Sequence, residues 1–126
     1  MPTEVECAIP VLPVKNLKES LEFYTKTLGF KLEWGDGEKS AIGSVSKDDC
    51  HLMLSQMHGE PKPTWVWIGL SDDGLFEEYR AKGVKVLQKP CNQAWAYEMK
   101  FEDNSGNVLW LGTAPKKDLP IETTAS

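Results

Sequence analysis

Two glutamates, one histidine and the tryptophans are the residues of this chain whose types and spacing could do chemistry. Glu98 and Glu102 stand four apart in a segment that reads as a strand, so alternation puts both carboxylates on one face. Such a pair can serve as acid and base, or it can be solvated or paired with lysine. His51 alternates with Met53 and Ser55, a pattern that suits a hydrogen-bonded wall position better than a metal site. The second histidine, His58, falls in a polar stretch. Five tryptophans are many for 126 residues. Trp65 and Trp67 share one strand face, Trp34 ends a strand, Trp95 sits in a loop, and Trp110 stands on the last strand. Tryptophan supplies large core area. On a concave face the same rings would stack planar groups and attract cations, at about 0.5 to 2 kcal/mol each.

Other chemistry finds no support. The chain has no glycine-rich phosphate loop, no GxSxG elbow and no evident Cys–His pairing. Its three cysteines, Cys7, Cys50 and Cys91, are odd in number and lack CxxC spacing, so free thiols in a reducing compartment are expected. A net charge of -5 argues against a nucleic-acid partner, which would call for a basic patch. No apolar stretch approaches the ~18 residues of a membrane span. The first residues lack the basic region and apolar run of a secretory leader. These features predict a cytoplasmic protein with neither a nucleic-acid nor a membrane partner.

Periodicity supplies the elements that must position those side chains. Residues 8–14 read as a strand limited by Pro10 and Pro13. Asn16 looks like a helix N-cap, with Glu19 three residues on to complete a capping box. Leu17, Leu21, Tyr24 and Leu28 form one apolar stripe, which Gly29 ends. Strands are expected at 30–34, 40–46 and 50–56. The order then repeats: a strand at 64–70, a helix capped by Asp72 or Asp73 with Leu75, Phe76 and Tyr79 on its apolar face, a stop at Gly83, and strands at 84–88, 96–102 and 107–112. Residues 58–63, polar and proline-rich, read as the linker. The prediction is one domain over 1–114, in modules of about 5–57 and 64–113, with a flexible tail at 115–126. The fold class is α+β: tandem βαβββ modules forming curved mixed sheets around a concave cleft.

The segment Val11, Leu12, Pro13, Val14, Lys15, Asn16, Leu17, followed by Phe23-Tyr24 and Leu28-Gly29-Phe30, resembles the glyoxalase, bleomycin-resistance and dioxygenase (vicinal oxygen chelate) superfamily. So does the closing turn Asp103-Asn104-Ser105-Gly106-Asn107. The likeness covers residues 6 to 113, and the chain is most similar to the bleomycin-resistance branch. The resemblance implies a homodimer with ligand grooves at its interface. It also implies, in the superfamily's enzymes, a divalent metal held by four side chains, one from each of four strands. The matching positions here are Ile9, Met53 or Leu54, Thr64 or Trp65, and Trp110, none of them a competent ligand. The expectation is therefore no catalytic residue, no metal and no cofactor. The function implied is sequestration of a cationic or aromatic small molecule in a Trp-lined groove. Its expected contacts are Trp34, Asp36, Ser55, Trp65, Trp67, Trp95, Glu98 and Trp110. The alternative is a metal-dependent lyase, isomerase or dioxygenase using His51 and Glu98. A third reading is a dimeric scaffold with no ligand, its tryptophans packed on each other.

Overall fold

A computed structural model describes residues 2–122. Each half of the chain folds as βαβββ. The first comprises β1 (Val11–Val14), α1 (Leu17–Glu22), β2 (Lys31–Trp34), β3 (Ile42–Lys47) and β4 (Cys50–Gln56). The second comprises β5 (Trp65–Gly69), α2 (Gly74–Ala81), β6 (Lys85–Asn92), β7 (Tyr97–Glu102) and β8 (Val108–Thr113). The two sheets have one topology, β1-β4-β3-β2 and β5-β8-β7-β6. In each, the first strand lies parallel to the fourth and the remaining pairs are antiparallel.

Strand alternation sorts side chains onto two faces. Leu12, Val14, Val45, Leu52 and Leu54 of the first sheet point inward, as do Val66, Met99, Phe101, Leu109 and Leu111 of the second. With the helices they form one continuous core spanning both modules. The stripe Leu17, Leu21, Tyr24 and Leu28 is buried throughout. Asn16 caps α1, its Oδ1 accepting the Glu19 N–H at 2.9 Å. The helix then widens into a π-turn over Phe23–Thr27, with Leu28 N–H donating to Phe23 O at 3.1 Å, before Gly29 reverses the chain.

Some boundaries differ from those expected. β1 begins at Val11 and leaves Ile9 outside the sheet, because Pro10 has no N–H to offer the ladder. β6 runs on to Asn92 through Pro90. It is an edge strand with two register shifts, the setting in which a strand tolerates proline. At α2, Asp73 occupies the cap without a side-chain cap bond, while Asp72 Oδ1 accepts the Gly74 N–H at 2.9 Å.

The Asp103–Asn107 turn clasps the modules together. Asp103 Oδ1 accepts the N–H groups of Ser105 and Asn107, both at 2.8 Å, and its Oδ2 accepts the Tyr24 hydroxyl at 2.7 Å. Asn107 donates to Pro13 O at 2.7 Å, and Ser105 Oγ accepts the Lys15 N–H at 3.0 Å. A second tie is Tyr79, whose hydroxyl donates to Leu28 O at 2.7 Å. Past Ala114, the chain runs beside β6: Asn92 exchanges hydrogen bonds with Lys116 and Glu122. Residues 123–126, the end of the expected tail, lie outside the described residues.

Candidate functional site

The faces turned away from the core differ between modules. On the second sheet three cross-strand rows stack along the open face. Trp65 faces Val108, and Glu102 beside it faces Lys85; Trp67 faces Trp110, then Lys100 and Gln88; Gly69 faces Gly112, then Glu98 and Cys91. The outward positions of β5 are thus tryptophan, tryptophan, glycine. This spacing builds the centre of the site. Trp110 lies between the other two rings, edge to face with Trp65 at 5.6 Å and with Trp67 at 5.2 Å. Lys100 Nζ sits 4.7 Å above the Trp110 ring. The Trp110 indole N–H is buried and has no hydrogen-bond partner.

Trp67 lies over Gly112, where a Cβ would stand 2.1 Å from its Cη2. Only glycine leaves room for the ring there. The trio pack on one another, yet they leave apolar surface outside: Trp65 is 61% exposed and Trp67 42%. Among large side chains of a folded chain, such a cluster of rings on one exposed face marks a contact surface more than a core.

Beside it stands Glu98, buried despite its place on the open face. Its Oε1 accepts the Trp95 indole N–H at 2.7 Å and its Oε2 accepts the Gln88 amide at 3.1 Å. Glu102, its neighbour on the same face, pairs with Lys85 at 3.1 Å. The two carboxylates expected on one face are therefore there, each with its own partners. The thiol of Cys91, opposite Glu98, is pushed above its ordinary pKa by burial and then by Glu122.

The remaining expected contacts lie in the first module. Trp34 ends β2 at the outer edge of its sheet, beyond a bulge. Ser55 stands on β4 between Pro13 and Ile42. Asp36 is committed to its own loop: Oδ1 accepts the N–H groups of Glu38 and Lys39, both at 2.9 Å, and these bonds hold its carboxyl below the usual range. Among the described residues none of the three shares a hydrogen bond or a ring contact with the tryptophan trio. The structure thus places Trp65, Trp67, Glu98 and Trp110 on the second sheet, with Trp95 on the loop before β7, and Trp34 and Ser55 on the first sheet, with Asp36 on the loop after β2. It adds Lys100, Gln88 and Gly112. Lys100 and Gly112 fall on outward positions of β7 and β8 that strand alternation marks, whereas Gln88 stands on β6 between two register shifts, where alternation gives no guide.

The four positions at which the superfamily's enzymes hold a metal do not fit one here. Met53, Trp65 and Trp110 occupy open-face positions, Leu54 is core, and Ile9 and Thr64 precede their strands. None offers a strong donor. His51 and Glu98 stand on different sheets, and His51 Nδ1 lies 3.0 Å from Glu33 Oε1. Among the described residues no three of His, Cys, Asp and Glu gather to hold a metal.

A cavity of about 570 Å³ lies elsewhere, at the seam of the modules. The β3–β4 turn and the segment between β5 and α2 form its walls, with Phe30, Ile68, Leu75, Tyr79 and Leu111 as its floor. None of the tryptophans lines it. Among the described residues no helix is long and apolar enough to cross a membrane.

The duplicated βαβββ order, the paired sheets and the Asp103–Asn107 clasp define a fold, and a comparison of sequences gives it its family. Residues 7–111 match the Glyoxalase/Bleomycin resistance protein/Dioxygenase superfamily, and the chain belongs to it. No curated protein matches the chain. Among solved structures it is similar to a bleomycin-binding protein from bleomycin-producing Streptomyces verticillus, complexed with copper(II)-bleomycin. That pair shares 22% identity over 91% of this chain and 100% of the other, with a TM-score of 0.72. It is also similar to TnmS3, an antibiotic-binding protein from Streptomyces sp. CB03234, at 21% identity, 90% and 99% coverage, and a TM-score of 0.73. A glyoxalase/bleomycin resistance protein/dioxygenase from Nocardioides is 20% identical, with 98% and 93% coverage and a TM-score of 0.71. At these identities the likeness is one of fold.

Proposed function

We propose that this protein binds a small molecule with a flat apolar part on the open face of the second sheet, without metal chemistry, in the manner of an antibiotic-sequestering protein. The observation that carries the reading is the exposed Trp65–Trp110–Trp67 cluster on the open face of the second sheet. A flat ring laid on Trp65 and Trp67 gains apolar burial and stacking. No covalent step is required, because binding alone lowers the free concentration of a toxin. Two structural neighbours are bleomycin- and antibiotic-binding proteins, which supports the same class of ligand. A homodimer goes with this reading, since a second copy would wall the exposed tryptophans into a groove.

Calorimetric titration of purified protein with copper-free bleomycin tests it. Saturable binding of one ligand per subunit, lost on Trp65→Ala or Trp67→Ala in a folded protein, is the expected result. Binding of bleomycin that both variants leave unchanged would overturn the placement on this face. Absence of heat at several temperatures would remove bleomycin as the ligand. A panel of planar aromatic compounds, read by tryptophan fluorescence, would then decide whether the face binds at all. Sedimentation of the same sample tests the dimer.

A further inference from the structure

We infer that Glu98 is a covered anchor for a cationic group, with Trp95 as its cover, so that the ligand of this face carries an ammonium or guanidinium beside its flat body. The inference rests on the reading that the aromatic face binds a small molecule.

The carboxyl group of Glu98 is the unusual feature. The residue is 2% exposed and stands in none of the ion pairs among the described residues. Both of its oxygens accept hydrogen bonds, and both donors, the Trp95 indole and the Gln88 amide, are neutral. Three lysines of the second half of the chain have other partners. Lys100, two residues along, sits over the Trp110 ring; Lys85 pairs with Glu102; Lys116 pairs with Asp73. A buried carboxylate with neutral partners keeps its desolvation cost without the attraction that would offset it.

The surroundings suit a cation. In the row of Glu98 the next two strands carry Gly112 and Gly69, so no side chain rises from the sheet there. The Trp67 ring lies over Gly112 on one flank, and Trp95 covers the carboxylate from the β6–β7 loop on the other. A cation entering between two indoles and reaching a carboxylate gains ring attraction and a charge-assisted hydrogen bond together. A neutral group gains neither. Trp95 is free to give way. It is 62% exposed, makes no ring stack among the described residues, and is tied to Glu98 by the single indole hydrogen bond. Opening it therefore costs little core contact.

The test compares two probes of one shape, naphthylmethylammonium and uncharged naphthylmethanol, on isotope-labelled full-length protein. The indole N–H resonances of the five tryptophans report the site directly. The ammonium is expected to shift the Trp95 resonance and to bind roughly tenfold or more tightly than the alcohol. Glu98→Gln, which keeps the shape, should reduce that ratio of affinities to near unity. Should Glu98→Gln fail to fold, Trp95→Phe serves: it removes the competing N–H, and the ratio of ammonium to alcohol affinity should rise. Equal affinity of the two probes for the unaltered protein, with shifts confined to Trp65, Trp67 and Trp110, would overturn the anchor and leave the binding face standing. No shift of any indole by either probe would overturn both.

Discussion

The open face of the first sheet carries Val11, Pro13, Ser44, Met53 and Ser55, whereas that of the second carries Trp65, Trp67, Lys100, Glu98 and Trp110. Strand order, parallel pairing and helix position are the same in both modules. The difference shows what duplication constrains. Inward positions must fill one shared core at close packing, so both modules keep apolar side chains there, Leu and Val in the first and Val, Leu, Met and Phe in the second. Outward positions answer only to solvent and ligand, and there the modules have parted. Their hairpin turns have parted too. Lys47–Cys50 is a tight turn at the rim of the seam cavity, with Asp48 at a φ of 52°. Asp103–Asn107 instead reaches across and binds the first module.

The sharpest way to break this comparison is to cut the clasp. Asp103→Ala strands the Tyr24 hydroxyl, the Ser105 and Asn107 N–H groups and the Asn107 amide on its Asp103 side. The expected loss is about 3 kcal/mol or more in urea unfolding. Both modules should unfold in one transition, with Trp34 in the first and the other tryptophans in the second reporting the same midpoint. Two midpoints would mean that the modules are independent.

Alkali tests the same seam. Burial foremost, then Asp103, raises Tyr24 well above its ordinary pKa, and burial foremost, then Glu78, raises Tyr79. Both are held neutral in the folded chain, whereas unfolded tyrosine ionises near 10. Their stabilisation is therefore complete below about pH 10 and is lost progressively above it, as the unfolded state sheds protons that the folded state keeps. Tyrosinate absorbance of these two should appear together with unfolding, not before it.

Third comes the contrast of open faces. Trp65→Ala with Trp67→Ala should weaken ligand binding roughly tenfold or more, at a stability cost of about 1 kcal/mol each or less. Met53→Ala with Ser55→Ala should change affinity less than about twofold. The reverse ranking would move the site to the first sheet. Gly112→Ala refines the result: its methyl must push the Trp67 ring aside, so binding should fall while the core stays intact.

The smallest effect belongs to the first face. Hydrogen bonds from His51, then from Ser44, hold the Glu33 carboxyl below its usual range. Its contribution to stability is present above the ordinary carboxylate pKa of about 4.3 and lost as pH falls through the lower folded value. In a carbon-detected titration His51→Ala should move the Glu33 midpoint upward, with little change in overall stability because the pair is solvated.

Much of this fold was legible in the chain because its signals are local. Asn16 caps α1 through its own side chain, the Leu17–Leu28 stripe follows helical spacing, and β4 begins and ends where alternation placed it. The passage of β6 through Pro90 was not legible, since tolerance of proline depends on an edge position and on bulges that pairing creates. The aromatic site was half legible. Alternation put Trp65 and Trp67 on one face, but the place of Trp110 between them, and the cover of Trp95 on Glu98, come from the registers of β5 with β8 and of β6 with β7. The loop bonds of Asp36 Oδ1 were not legible either, since they depend on how residues 36–40 turn.

By itself, then, the sequence determined the repeated βαβββ order and the inward faces, because residue type, helical period and strand alternation act over a few residues. Only the tertiary structure decided which tryptophans meet, that the Asp103 turn fastens one module to the other, and that Glu98 is buried with no ion-pair partner among the described residues. Those depend on strand register and on contacts between residues as far apart as Pro13 and Asn107, which no local pattern encodes.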